Sequence, residues 1–184
     1  MTTVAPPSDA VVHKYPQDVD TVFKLMTSEE YLVDRAYWVK EVDPEAKVEW
    51  NGDLPKITLQ RWVLRDYPKF LKKMFPPKQG MGEEEQWQKD GDNWKGSYVI
   101  DVQGNPVEVT GEFTLRATPD GGSEFSIRHG VTAKIPLLGK KIEAYILKET
   151  QTGCGDELVF CEKRLAGVPD LIPRDSSKYP IPGR

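Results

Sequence analysis

The sequence predicts an α+β domain in which a run of antiparallel strands is followed by one long helix. Two observations carry this. Between Lys47 and Pro136, short stretches of alternating apolar and polar residues are separated by brief turn signals. From Leu138 to about Leu165 there is no proline, and apolar residues recur at helical spacing: Leu138, Ile142, Tyr145 and Ile146, then Cys154, Leu158, Cys161 and Leu165. A third observation adds detail at the front, where a short extended run, Ala10–Pro16, precedes two short helical patterns.

In the first of those patterns Val19, Val22, Phe23 and Met26 make one apolar helix face. Thr27 and Glu30 then read as a capping box that opens a second helix through Tyr31 and Arg35. The strands follow. KVEW (47–50) and KITLQRWVLRD (56–66) flank the turn NGDLP. EEEQWQK (83–89) and NWKGSYVIDV (93–102) flank DGD, PVEVTGEFTLRA (106–117) follows QGN, and SEFSIRHGVTAKIP (123–136) follows PDGG. Links this short join antiparallel neighbours, because a parallel pair needs a long crossover, so the last four strands form a meander. The terminal helix, about 28 residues, would span roughly 40 Å, and TGCGD (152–156) marks a weak point in it, since each mid-helix glycine costs around 1 kcal/mol against alanine.

Length suits one domain, 10–168, with residues 1–9 as a loose arm and the proline-rich 169–184 as an extended or disordered tail. The net charge of −4 argues against general nucleic-acid binding. No apolar run reaches the roughly 18 residues of a transmembrane helix, and MTTVAPPSDA does not read as a secretory signal. Cys154 and Cys161, seven apart on a helix, stand about 10.5 Å from each other, too far for a disulfide. Two reduced, buried thiols suggest a cytoplasmic protein. With His13 and His129 as the only histidines, no zinc spacing exists, and no GxGxxG, P-loop or G-x-S-x-G is present, so neither cofactor nor metal is expected.

The order of elements resembles the helix-grip fold of the START-like superfamily, which includes birch-pollen-allergen-like proteins, polyketide cyclases and coenzyme-Q-binding proteins. The segments that carry the resemblance are VVHKYPQDVDTVFKLMTSEEYLVDRAY at the front and GSEFSIRHGVTAKIPLLGKKIEAYI at the junction of last strand and helix. The chain looks most like a bacterial branch of that superfamily labelled a domain of unknown function. The resemblance implies a curved sheet wrapped around the long C-terminal helix, with an elongated cavity between them for a hydrophobic ligand. It implies no particular reaction, because one fold serves carriers, sensors and enzymes.

Strand alternation assigns the faces. Val107, Val109, Gly111, Phe113 and Leu115 share one; Trp94, Gly96, Tyr98, Ile100 and Val102 share another. Phe125, Ile127, His129, Val131 and Ala133 fall together, as do Glu83, Glu85 and Trp87, and Ile57, Leu59, Arg61 and Val63. Trp62 offers the opposite face of its strand, which would put Arg61 outside. An apolar inner face with the polar residues Arg61, Glu85, Tyr98 and His129 fits a ligand pocket, and Gly96 and Gly111 would leave volume in it unfilled. The competing reading makes each an ordinary core or surface residue: a hydrogen-bonded histidine and tyrosine, an Arg61–Glu85 ion pair, a solvated Glu83–Glu85 run.

The candidate ligand-binding residues are therefore Arg61, Glu85, Trp87, Tyr98, Ile100, Phe113, Ile127 and His129, with Tyr145 and Glu149 from the helix. PKFLKKMFPPK (68–78) interrupts the strands with Phe70, Leu71, Met74 and Phe75 on one side and Lys69, Lys72 and Lys73 around them. It reads as a lid, with transient membrane contact or a plain connection as alternatives. Binding or transport of a lipid, isoprenoid or polyketide-like molecule is the first functional expectation. A cyclase- or dehydratase-type enzyme using His129 as acid or base, and a protein-interaction module, are the others. The sequence leaves the oligomeric state open.

Overall fold

A computed structural model describes residues 9–172; the proposed arm (except Asp9) and most of the proposed tail lie outside them. In chain order the elements are β1 (Val11–Tyr15), α1 (Val19–Met26), α2 (Glu29–Trp38), β2 (Val42–Asn51), β3 (Leu54–Leu64), β4 (Lys78–Asp90), β5 (Asn93–Val102), β6 (Val107–Ala117), β7 (Ser123–Ala133) and α3 (Gly139–Leu165). The strands form one antiparallel sheet in the order β1-β7-β6-β5-β4-β3-β2. Six consecutive strands thus form the meander, two more than expected, and β1 joins it beside β7. The sheet with α3 across it and two short helices after β1 is the expected helix-grip fold.

Two strands begin five residues earlier than alternation suggests. β2 starts at Val42 and runs through Pro44, with its register shifted between Val42 and Glu45. β4 starts at Lys78, where Gln79, Gly80 and Met81 pair with Val63, Trp62 and Arg61. Prolines and glycines hide these extensions from a pattern search, because an edge strand or a bulge tolerates both. The α2 cap also differs. Thr27 closes α1, its Oγ1 donating to the Phe23 carbonyl at 2.8 Å, so the cap falls to Ser28, whose Oγ accepts from Tyr31 N at 3.3 Å. Glu30 is 3.6 Å from Arg164 on α3.

Alternate inward residues of the sheet meet α1, α2 and the buried stripe of α3, which includes Cys154, Leu158 and Cys161. Aromatic rings pack together in this core. Phe23 stacks on Trp94 with centroids 3.8 Å apart, and Trp87 and Phe113 adjoin them. A second cluster lies under the 68–75 segment, where Leu71 and Phe75 pack with Tyr67, Val102, Val107 and Ile142. The lysines at 69, 72 and 73 face solvent. Both cysteines are buried and free. α3 is unbroken through Gly153 and Gly155.

Candidate functional site: a hollow with a charged end

Between the concave face of the sheet, α2 and α3 lies a cavity of about 630 Å³. Its sheet wall is set by register. Glu85 on β4 is opposite Tyr98 on β5, Tyr98 is opposite Gly111 on β6, and Gly111 is opposite His129 on β7. The next row holds Trp87, Gly96, Phe113 and Ile127. Of the sequence-derived candidates, Arg61, Glu85, Trp87, Tyr98, Ile100, Phe113, Ile127 and His129 border the cavity. Trp62 points outward, with Lys78 Nζ 4.9 Å from its ring, so Arg61 is inside.

Glu149 stands at the rim, 41% exposed, and is 3.9 Å from Arg65. Tyr145 does not border the cavity. Helical rotation turns it toward the second cluster, where its ring meets Phe70 edge-on at 6.3 Å. In the 68–75 segment only Phe75 reaches the cavity wall; Leu71 is fully buried beneath the segment, and Phe70 and Met74 are half-buried.

The inner glycines do not leave empty volume. A Cβ on Gly111 would come within 2.2 Å of the Tyr98 ring, and one on Gly96 within 2.4 Å of the Phe113 ring. The rings lie across the glycines. Free space occurs instead on the helix, where Gly153 borders the cavity and its absent Cβ would meet nothing within 4 Å. Leaning across Gly111 brings the Tyr98 hydroxyl to 2.6 Å from His129 Nδ1. His129 is 8% exposed, and desolvation pushes its pKa down to about 4, so the imidazole is neutral near pH 7. A neutral ring that accepts the phenol proton at Nδ1 carries its own hydrogen on Nε2, and that atom has no partner among the described residues.

Charge collects at the other side of the cavity. Arg61 does not pair with Glu85: opposite Met81 in the register, it reaches the diagonal Glu83 at 2.7 Å and Glu41 at 3.3 Å. The α2 residue Arg35 lies 3.6 Å from Glu83 and 3.7 Å from Glu157 of α3. Thus Glu83 and Glu85 are buried, at 5% and 6% exposure, while Glu84 between them is exposed beside Lys56. The glutamate run is a solvated face only at its middle member. Sequence reasoning missed Arg35, Glu41 and Glu157 as site residues. Arg35 is one helical turn from buried Tyr31, and Glu157 continues the Glu149, Gly153 spacing, so a signal existed for both.

Glu85 is the carboxylate without a cation. Its Oε1 accepts from Trp87 Nε1, and no Lys, Arg or His nitrogen lies within 4 Å among the described residues. Burial first, and the Glu83 charge next, push its pKa up from 4.5 to about 7. Burial likewise pushes Glu157 up to about 7, although 27% of its side chain remains open. In the unfolded chain Glu85 loses its proton near 4.5, in the folded chain near 7, so folding binds a proton between those values and stability falls as pH rises through them. Glu85→Gln keeps an acceptor for Trp87 and removes the ionisation. The variant is expected to gain on the wild type by on the order of 1–3 kcal/mol between about pH 5 and pH 8 in urea denaturation. A constant difference across that range would count against a buried, unpaired Glu85. His129 acts in the opposite sense, losing its contribution as pH falls from 6.5 toward 4, and does so equally in both proteins.

Among the described residues there is no group of three or more His, Cys, Asp and Glu arranged to hold a metal, and no helix is long and apolar enough to cross a membrane. A family profile matches residues 10–165. The chain belongs to the family described as protein of unknown function (DUF2505). No curated protein matches this DUF2505 chain. Its fold matches solved structures. TTHA0849 from Thermus thermophilus aligns with a TM-score of 0.59 at 16% identity, covering 89% of this chain and 99% of that one. Human STARD10 aligns with a TM-score of 0.55 at 10% identity, covering 84% of this chain and 62% of that one. At such identities the likeness establishes the START-like fold of the DUF2505 chain and nothing about its ligand.

Proposed function

We propose that the domain binds a hydrophobic small molecule with one polar end, held between the sheet and α3 and carried or presented rather than transformed. The observation that supports this reading is the cavity itself. Its volume of about 630 Å³ falls in the usual range of ligand sites, roughly 300–1,000 Å³. Phe113, Ile127, Ile100 and Val109 give it apolar walls, and the polar groups sit in two places, the Tyr98–His129 pair and the glutamate–arginine cluster. Apolar burial would supply affinity and the polar groups orientation.

A cyclase- or dehydratase-type enzyme is the second reading, favoured by the Tyr98–His129 contact inside the cavity. It fits less well. A histidine pushed down to about 4 is a poor proton donor at neutral pH, and its Nδ1 is already occupied by the phenol.

The test uses Gly153. A leucine there would project into open space and raise helix propensity, so the fold should persist. Titrated with the neutral fluorescent probe N-phenyl-1-naphthylamine, Gly153→Leu is expected to bind about tenfold more weakly than the wild type, with an equal or higher Tm. Undiminished probe binding by Gly153→Leu, or none by the wild type, would overturn the proposal. Organic extracts of the purified protein, analysed by mass spectrometry, would identify any resident compound.

A further inference from the structure

Four carboxylates, Glu41, Glu83, Glu85 and Glu157, share two guanidiniums at one side of the cavity, so that side carries an excess of acid even with every ion pair made. The remaining charged residues of the wall do not correct it. Arg65 lies beside Glu149, and the two remaining residues, Lys40 and Asp156, are one cation and one anion. Arg35 and Arg61 each have two carboxylates within 4 Å, so an anionic ligand approaching either would meet negative charge already in place. Glu85 is the reverse, a carboxylate 6% exposed whose one bond comes from an indole N–H and which pairs with no cation among the described residues. A buried carboxylate that borders a cavity without a cation beside it points to a guest that supplies one.

Resting on the reading that the cavity holds a ligand, we infer that the guest is an amphiphile whose polar end is a protonated amine, docked against Glu85. An ammonium offers three donors and no acceptor, which suits a site made of carboxylate oxygens. It would complete the charge balance that Arg35 and Arg61 leave short and hold Glu85 ionised, replacing the desolvation that pushes its proton uptake toward neutrality. A carboxylate- or phosphate-ended amphiphile would meet like charge, with both guanidiniums already engaged, and would be rejected. The alkyl part would run along Ile100, diagonal to Glu85 on the next strand, and Val109 and Phe113 on the strand beyond it.

The experiment compares three ligands with one chain length: dodecylamine, dodecanol and dodecanoate, each below its micellar concentration and competing with N-phenyl-1-naphthylamine near pH 8. Wild-type protein is expected to bind the amine about tenfold or more tightly than the alcohol, and the acid most weakly. Glu85→Gln should erase the gap between amine and alcohol. Tight alcohol binding with no preference for the amine, an amine preference that survives Glu85→Gln, or a preference for the acid would overturn the head-group assignment and leave the cavity reading standing. Failure of all three ligands and the probe would overturn both.

Discussion

Glu83→Ala is expected to destabilise the protein by about 3–5 kcal/mol, the cost of leaving buried charge without its partner. Glu83 alone lies within ion-pair distance of both Arg61, at 2.7 Å, and Arg35, at 3.6 Å, and it is 5% exposed. Removing it leaves each guanidinium with one remaining carboxylate, at 3.3 Å for Arg61 and 3.7 Å for Arg35. The Arg61 Nε is buried without a well-aligned acceptor even in the intact cluster, so it has no spare hydrogen bond to fall back on. Water that reaches the partly open Glu157 lowers the expected figure toward the bottom of the range. Glu83→Gln, which keeps shape and one acceptor, should lose less. Urea denaturation at pH 7 decides it, and a loss below about 1 kcal/mol would show that solvent screens the cluster as it does surface pairs.

Phe160→Ala should cost a comparable amount, about 3–5 kcal/mol, for a different reason. The Phe160 ring is fully buried on α3, stacked against Tyr31 at 5.7 Å and Trp38 at 5.3 Å. It fastens α2 to α3, and Trp38 Nε1 donates to the Asp156 carbonyl at 3.1 Å alongside it. Tyr31 and Trp38 also border the cavity, so affinity for the neutral probe should fall with stability. The neighbouring Val159 faces solvent, and Val159→Ala is expected to stay within about 0.5 kcal/mol. Comparing the two by thermal and chemical unfolding separates loss of packing from the general effect of an alanine substitution in α3. Equal effects would mean that α2 is not held by this stack.

The sheet is legible because a strand buried on one face has a strict period of two, and Val107, Val109, Phe113 and Leu115 obey it. The same parity places Glu83, Glu85 and Trp87 on one face. What alternation cannot do is name partners across the fold. Arg61 finds Glu83 rather than Glu85 because of the β3–β4 register, and Arg35 and Glu157 arrive on helices far away in the chain. Gly96 and Gly111 mislead for a related reason: a missing Cβ signals close approach, and only the register reveals that a neighbour's ring has taken the place. Tyr145 falls outside the cavity because helical spacing gives a stripe but not the rotation of that stripe against the sheet.

β1 lies against β7, so the first strand of the chain has no partner until the last one exists. A ribosome-bound chain can stack β2 through β6 hairpin by hairpin, while Val11–Tyr15 waits for Ser123–Ala133. α3 then follows at once and closes the hollow. Assembly of the outermost pairing and sealing of the interior are therefore late, coupled steps, and a fragment ending before residue 123 would have neither.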